Sequence, residues 1–170
     1  MRRETRGYLI ADDTAERNFS EITRDLKSAR LKKSLSQNAL SSSLPVRGRA
    51  ISEWETGAIE PKLNHLILLT HELDLRLTII GLDGKPCNGP SRQRPGESWV
   101  KFERRRLAWP LRARRVAQGM SQTELGDLVG VSRDSIQRWE LAHVPPRPIA
   151  LVVWAQKLGY SLALRQMGEK

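Results

Sequence analysis

Between Ser132 and Arg138 the chain reads SRDSIQR. Five of these residues, Ser132, Arg133, Asp134, Gln137 and Arg138, carry groups able to do chemistry. A guanidinium offers a planar fork of donors, a primary amide sets a donor beside an acceptor, and a carboxylate accepts only. Such a set makes paired hydrogen bonds to polar edges and ion pairs to anions, but it breaks no covalent bond. Elsewhere no phosphate-binding glycine loop, metal cluster or nucleophile–base set stands out. With Cys87 as the sole cysteine there is no internal disulfide and no Cys/His zinc spacing. His65, His71 and His143 read as core or surface histidines. No enzyme, cofactor or metal is expected.

For the five side chains to face outward together they must lie on a helix whose inward positions are Ile136 and Trp139. Ser132 suits its N-cap, and the helix runs to about Leu141. Ahead of it, Ser121 and Glu124 form a capping box for a helix through about Val129. Counting Gln122 as position one, Gly126 falls at the fifth position, where a larger side chain would push two crossing helices apart. Gly130 falls at the ninth, in a turn that needs positive φ. Pro110 suits the first turn of an earlier helix through Gln118, with Gly119 as its cap. Pro146 and Pro148 open a later helix through Leu158, ended by Gly159. Tyr160, Leu162 and Leu164 then alternate with Ser161, Ala163 and Arg165, which is strand periodicity. A solvated helix face would show the same polar residues, so the pattern alone leaves that alternative open.

The pattern occurs twice. Shifted by 85 residues, Ile22–Ile80 aligns with Leu107–Arg165 without a gap. Arg30 meets Arg115, Ser36-Gln37 meets Ser121-Gln122, Ile51 meets Ile136, and Trp54-Glu55 meets Trp139-Glu140. The first copy also ends in an alternating stretch, Leu75, Leu77 and Ile79. The expected fold is mainly α: two helix-turn-helix domains in tandem, each followed by a short strand able to pair antiparallel with the other. The expected divisions are an arm over 1–19, a first domain over 20–80, a Gly/Pro-rich linker over 81–97 and a second domain over 98–170. The first copy departs from the pattern. Ser41 takes the fifth position, and Pro45 stands where the turn glycine should be, so its third helix is expected to start at Pro45. Its outward face is then Arg47, Gly48, Arg49, Ser52 and Glu53. The segment SWVKFERRRLAW at 98–109 reads as an amphipathic connector whose aromatics pack on the second domain, or else as a basic strip along a polyanion.

Charge narrows the partner. The net charge is +10, and residues 1–85 contribute 14 basic against 12 acidic, residues 86–170 15 against 7. The second half therefore carries most of the excess, which favours a polyanion, either nucleic acid or an acidic membrane surface. The start, MRRETRGYLIADD, has too short an apolar run for a signal peptide, and no segment approaches membrane-spanning length. A cytoplasmic protein is expected. The arm leaves three readings open: a minor-groove contact, a short strand, or disorder.

With Gly126, Gly130, Ile136 and Trp139 all in place, residues 107–158, and more weakly 22–73, resemble the phage-repressor and Cro family of helix-turn-helix regulators, the XRE family. The resemblance implies double-stranded DNA as partner, with Gln122 anchoring a helix to phosphate. Arg133, Asp134 and Gln137 would approach base edges, Arg133 as a bidentate partner of guanine and Gln137 of adenine. Arg138 would meet phosphate. In the first copy the corresponding contacts would come from Gln37, Arg47, Arg49 and Ser52. It further implies internal ion pairs Arg115–Glu140 and Arg30–Glu55, and core roles for Trp54 and Trp139. Repression is the family default, and twofold dimers are usual, so a homodimer is one arrangement and an internal pseudo-dimer another. The competing functions are an antitoxin-like autoregulator and an anti-activator, each binding a protein partner through the divergent first domain.

Overall fold

The computed structural model describes residues 11–168. Helices α1 (Asp13–Lys32), α2 (Gln37–Ser43), α3 (Ala50–Thr56) and α4 (Leu63–Glu72) lead into strand β1 (Leu75–Ile80). Helices α5 (Trp99–Ala117), α6 (Gln122–Val129), α7 (Arg133–Glu140) and α8 (Pro148–Lys157) lead into β2 (Ser161–Gln166). Five helix starts are fixed by side-chain caps: Asp12, Ser36, Ser98, Ser121 and Ser132 each accept from the backbone amide three residues on. One apolar cluster runs through both copies, from Ile22, Leu40 and Ile51 to Leu107, Leu125 and Ile136, with Leu77, Ile79 and Leu162 in the same cluster.

The two strands pair with each other, antiparallel, as one two-stranded sheet. Their register carries a symmetry. Under the 85-residue repeat, Leu77↔Leu164 exchanges with Ile79↔Leu162, and Thr78↔Ala163 maps onto itself. A local twofold therefore passes through the Thr78–Ala163 pair.

Around that axis the first helices are exchanged. The start of α1 packs on α8 and β2, and the start of α5 packs on α4 and β1. Asn18 seals the outer edge of β2: its amide donates to Leu162 O at 2.8 Å and its oxygen accepts from Leu162 N–H at 3.2 Å. Leu77 is the repeat equivalent of Leu162, and its carbonyl accepts from Arg106. Glu103, the equivalent of Asn18, is only 2% exposed and accepts from Arg76 Nε at 3.0 Å and Arg106 Nε at 2.7 Å. Burial pushes the Glu103 carboxyl up, but the hydrogen bonds from Arg76 and Arg106 outweigh it and hold it below the ordinary range.

Several expectations change. Pro110 does not open a helix; it lies inside α5, which begins at Trp99. Proline lacks the N–H that would bond the Arg106 carbonyl. The helix continues past it because Phe102, Leu107, Ala108 and Leu111 form one buried stripe on both sides. The freed carbonyl is covered by Gly89, where an added Cβ would sit 2.7 Å from Arg106 O. Residues 98–109 are thus the N-cap and first half of α5. Trp99 packs on His71 of the first copy at 4.8 Å between ring centroids as well as on Phe102 of its own helix at 5.5 Å.

The linker is ordered: Cys87 N–H bonds Ile79 O at 2.8 Å, and Glu97 pairs with Arg105 at 2.9 Å. Helix α1 begins within the 1–19 segment. Its first turn carries Asp13 and Glu16, which favour a helix N-terminus. The remainder of the arm, 1–10, lies outside the described residues. Pro45 does not start α3 but stays in the turn, at φ 22. Val46 N–H still bonds Ser41 O at 3.1 Å, as Val131 N–H bonds Gly126 O at 2.9 Å, so the turn keeps its closing hydrogen bond despite proline's preference for negative φ.

Candidate nucleic-acid interface

The α6–turn–α7 unit is built from its glycines outward. A Cβ on Gly126 would lie 2.8 Å from Val131 O, so the turn folds directly against α6 and no side chain fits. Gly130 caps α6 at φ 91, a conformation costly for residues with a Cβ. The box between Ser121 and Glu124 is closed in both directions. Ser132 then caps α7, so its hydroxyl is engaged by Ser135. Leu125, Val129 and Ile136 are fully buried, and Trp139 packs on Trp154 at 5.6 Å.

A buried ion pair fixes the orientation of α7. Arg115 donates to Glu140 through Nε at 2.6 Å and Nη2 at 2.9 Å, while its Nη1 donates to Met120 O at 2.8 Å. Gln122 completes the group, its amide donating to Glu140 at 2.9 Å. The first copy repeats every bond: Arg30 to Glu55 at 2.6 and 3.0 Å, Arg30 to Leu35 O at 2.8 Å, and Gln37 to Glu55 at 2.9 Å. Burial raises the Glu55 carboxyl, yet hydrogen bonds from Arg30 and Gln37 leave it below the ordinary range. The two glutamines are thus tied to the ion pairs. The signal for this was present in the sequence, as Gln and Glu stand 18 residues apart in both copies.

On the outer face of α7, Arg133, Asp134 and Arg138 are exposed and Gln137 is half-buried. Only a 3.6 Å contact joins Arg133 to Asp134. This face offers donors and acceptors to an outside partner. The first copy does not match it. Gly48, Arg49, Ser52 and Glu53 stand where the second has Arg133, Asp134, Gln137 and Arg138. Helix α3 starts only at Ala50, without a side-chain cap, so Arg47 and Arg49 precede it. Arg47 donates to Glu53 at 3.0 Å, a pairing the sequence reading missed. Ser41, in place of Gly126, is buried, and its hydroxyl has no partner among the described residues.

Two short helices joined by a tight turn, the second braced from behind by an ion pair, define a helix-turn-helix unit; the fold contains two, and in the second copy both helices are also capped by side chains. The helix-turn-helix family model matches the chain over residues 26–80 and again over 111–164. The chain belongs to that family, the XRE or lambda-repressor-like helix-turn-helix proteins. It is a DNA-binding transcription regulator of the XRE type, a fold not typically enzymatic. No curated protein and no solved structure matches the chain. Among the described residues no helix is long and apolar enough to cross a membrane.

Proposed function

We propose that the chain is a cytoplasmic repressor that occupies an operator and reads it chiefly with α7. The observation that carries this is the outward face of α7, whose Arg133, Asp134, Gln137 and Arg138 sit on a capped helix fixed from behind by Arg115–Glu140. Arg133 pairs with a guanine, Gln137 with an adenine, and Asp134 meets a neighbouring base edge. Arg138, Ser132 and the amide end of α6 at Gln122 hold phosphates. The first copy adds weaker contacts through Gln37, Arg47, Arg49 and Ser52, and one chain supplies both units.

Selection from a randomised duplex library with purified protein should enrich a site. Arg133→Ala should then weaken that site by about 1–3 kcal/mol and relax one position, while Arg138→Ala weakens all sequences alike and flattens the salt dependence. Absence of enrichment, or unchanged affinity in Arg133→Ala, would refute the reading.

A second reading has its own support. Gly48 in place of Arg133, and Arg47 held by Glu53, favour a first copy that binds protein, as an antitoxin-like autoregulator or an anti-activator would. Enrichment of a single half-site would favour it; two unlike half-sites would count against it. A homodimer would show as a symmetric pair of sites.

A further inference from the structure

The strands obey the repeat symmetry, but several polar contacts between the copies have no twin, and one of them joins the loops that leave α3 and α7. Glu60 lies in the loop after α3, and its carboxylate reaches the loop after α7. Its Oε2 accepts from Arg147 Nε at 3.0 Å and Nη2 at 2.6 Å, and its Oε1 accepts from Ile149 N–H at 2.8 Å. Helix α8 has no side-chain cap of its own, so the first copy supplies an acceptor for its first turn. The residue equivalent to Glu60 in the second copy is Pro145, which has no side-chain acceptor, and α4 starts without a side-chain cap.

We infer that Glu60 is a positioning residue that sets the angle and separation between α3 and α7, and so the spacing of the two sets of DNA contacts. This rests on the DNA-binding reading above. A two-stranded ribbon is readily twisted. The exchanged starts of α1 and α5 brace that ribbon, and Glu60 adds a tie between the loops that leave the two helices themselves. The contact suits orientation better than stability: the Arg147 side chain is 71% exposed, and exposed pairs add little to stability. Its forked geometry and its bond to a backbone amide nevertheless fix a direction.

The test uses the full chain with Cys87→Ser and spin labels at Ser43→Cys and Leu128→Cys. These are repeat-equivalent exposed positions outside the proposed contacts. Pulsed electron–electron resonance should give one narrow distance distribution. Glu60→Ala, or Arg147→Ala from the other side, should broaden or shift it without altering the circular dichroism or the melting temperature. Glu60→Gln, which keeps an acceptor for Ile149, should fall between. An unchanged distribution in both alanine variants overturns the inference, whatever happens on DNA.

On duplexes carrying the selected site with base pairs added or removed at its middle, the unlabelled parent chain should discriminate spacings about tenfold. Glu60→Ala should hardly discriminate, while keeping its affinity for the isolated α7 half-site. A parent chain indifferent to spacing also overturns the inference and leaves reading by α7 intact. A parent chain that enriches no site overturns the reading instead, and the distance measurement still decides the role of Glu60.

Discussion

At Glu140 one carboxylate accepts from both the Arg115 fork and the Gln122 amide while almost wholly buried, so its removal strands a largely covered arginine. Glu140→Ala should cost about 3–5 kcal/mol in urea unfolding, and Glu140→Gln less. Arg115 and Glu140 could be paired from sequence because the same two types recur at the same separation in the first copy. The glutamine bonds were less legible, since an amide suits many partners. Acid should act through the same kind of group. Hydrogen bonds from Arg105 and then from the Arg94 backbone hold the Glu97 carboxyl at about 2, and Glu103 and Glu55 also titrate low. Their folded values lie below the unfolded ones. The stability they lend is therefore complete above the ordinary glutamate range, near ~4.3, and is lost as pH falls toward the folded values. The melting temperature should hold from neutrality to about pH 5 and decline below it, and Glu97→Gln should make that decline shallower.

Among the elements, the α6–α7 turn leaves the least room. Gly126→Val places carbon against the Val131 carbonyl and should lower stability by about 1–3 kcal/mol, with loss of DNA binding as α7 tilts. Capping residues and turn glycines were readable because each is a local necessity. The start of α5 was not, because Pro110 imitates an opening residue; the better signal was Ser98, a true N-cap. Nor could local rules show that the segment after β1 packs tightly. Gly89→Ala tests that packing, since its new methyl would meet the Arg106 carbonyl, and it should lower the melting temperature.

Taken whole, the chain satisfies its own strand edges: β1 and β2 pair, and Asn18 and Arg106 reach backbone groups facing away from the ladder. Matching strand patterns made that pairing legible, because each unit ended in an edge that needed a partner. The exchange of α1 and α5 between copies was not legible, since an apolar helix face does not specify which neighbour it covers. The full chain should sediment as a monomer. A fragment 98–170, deprived of β1 and Asn18, should self-associate or lose its melting transition. The same interlocking orders events during synthesis. Asn18 cannot meet its partner until a residue 144 positions later has been made, which at ribosomal speeds is roughly 7–30 s. The first unit must wait, half-covered, for the last strand, so a prematurely terminated chain would lack the closing contacts and be exposed to proteases rather than released as half a regulator.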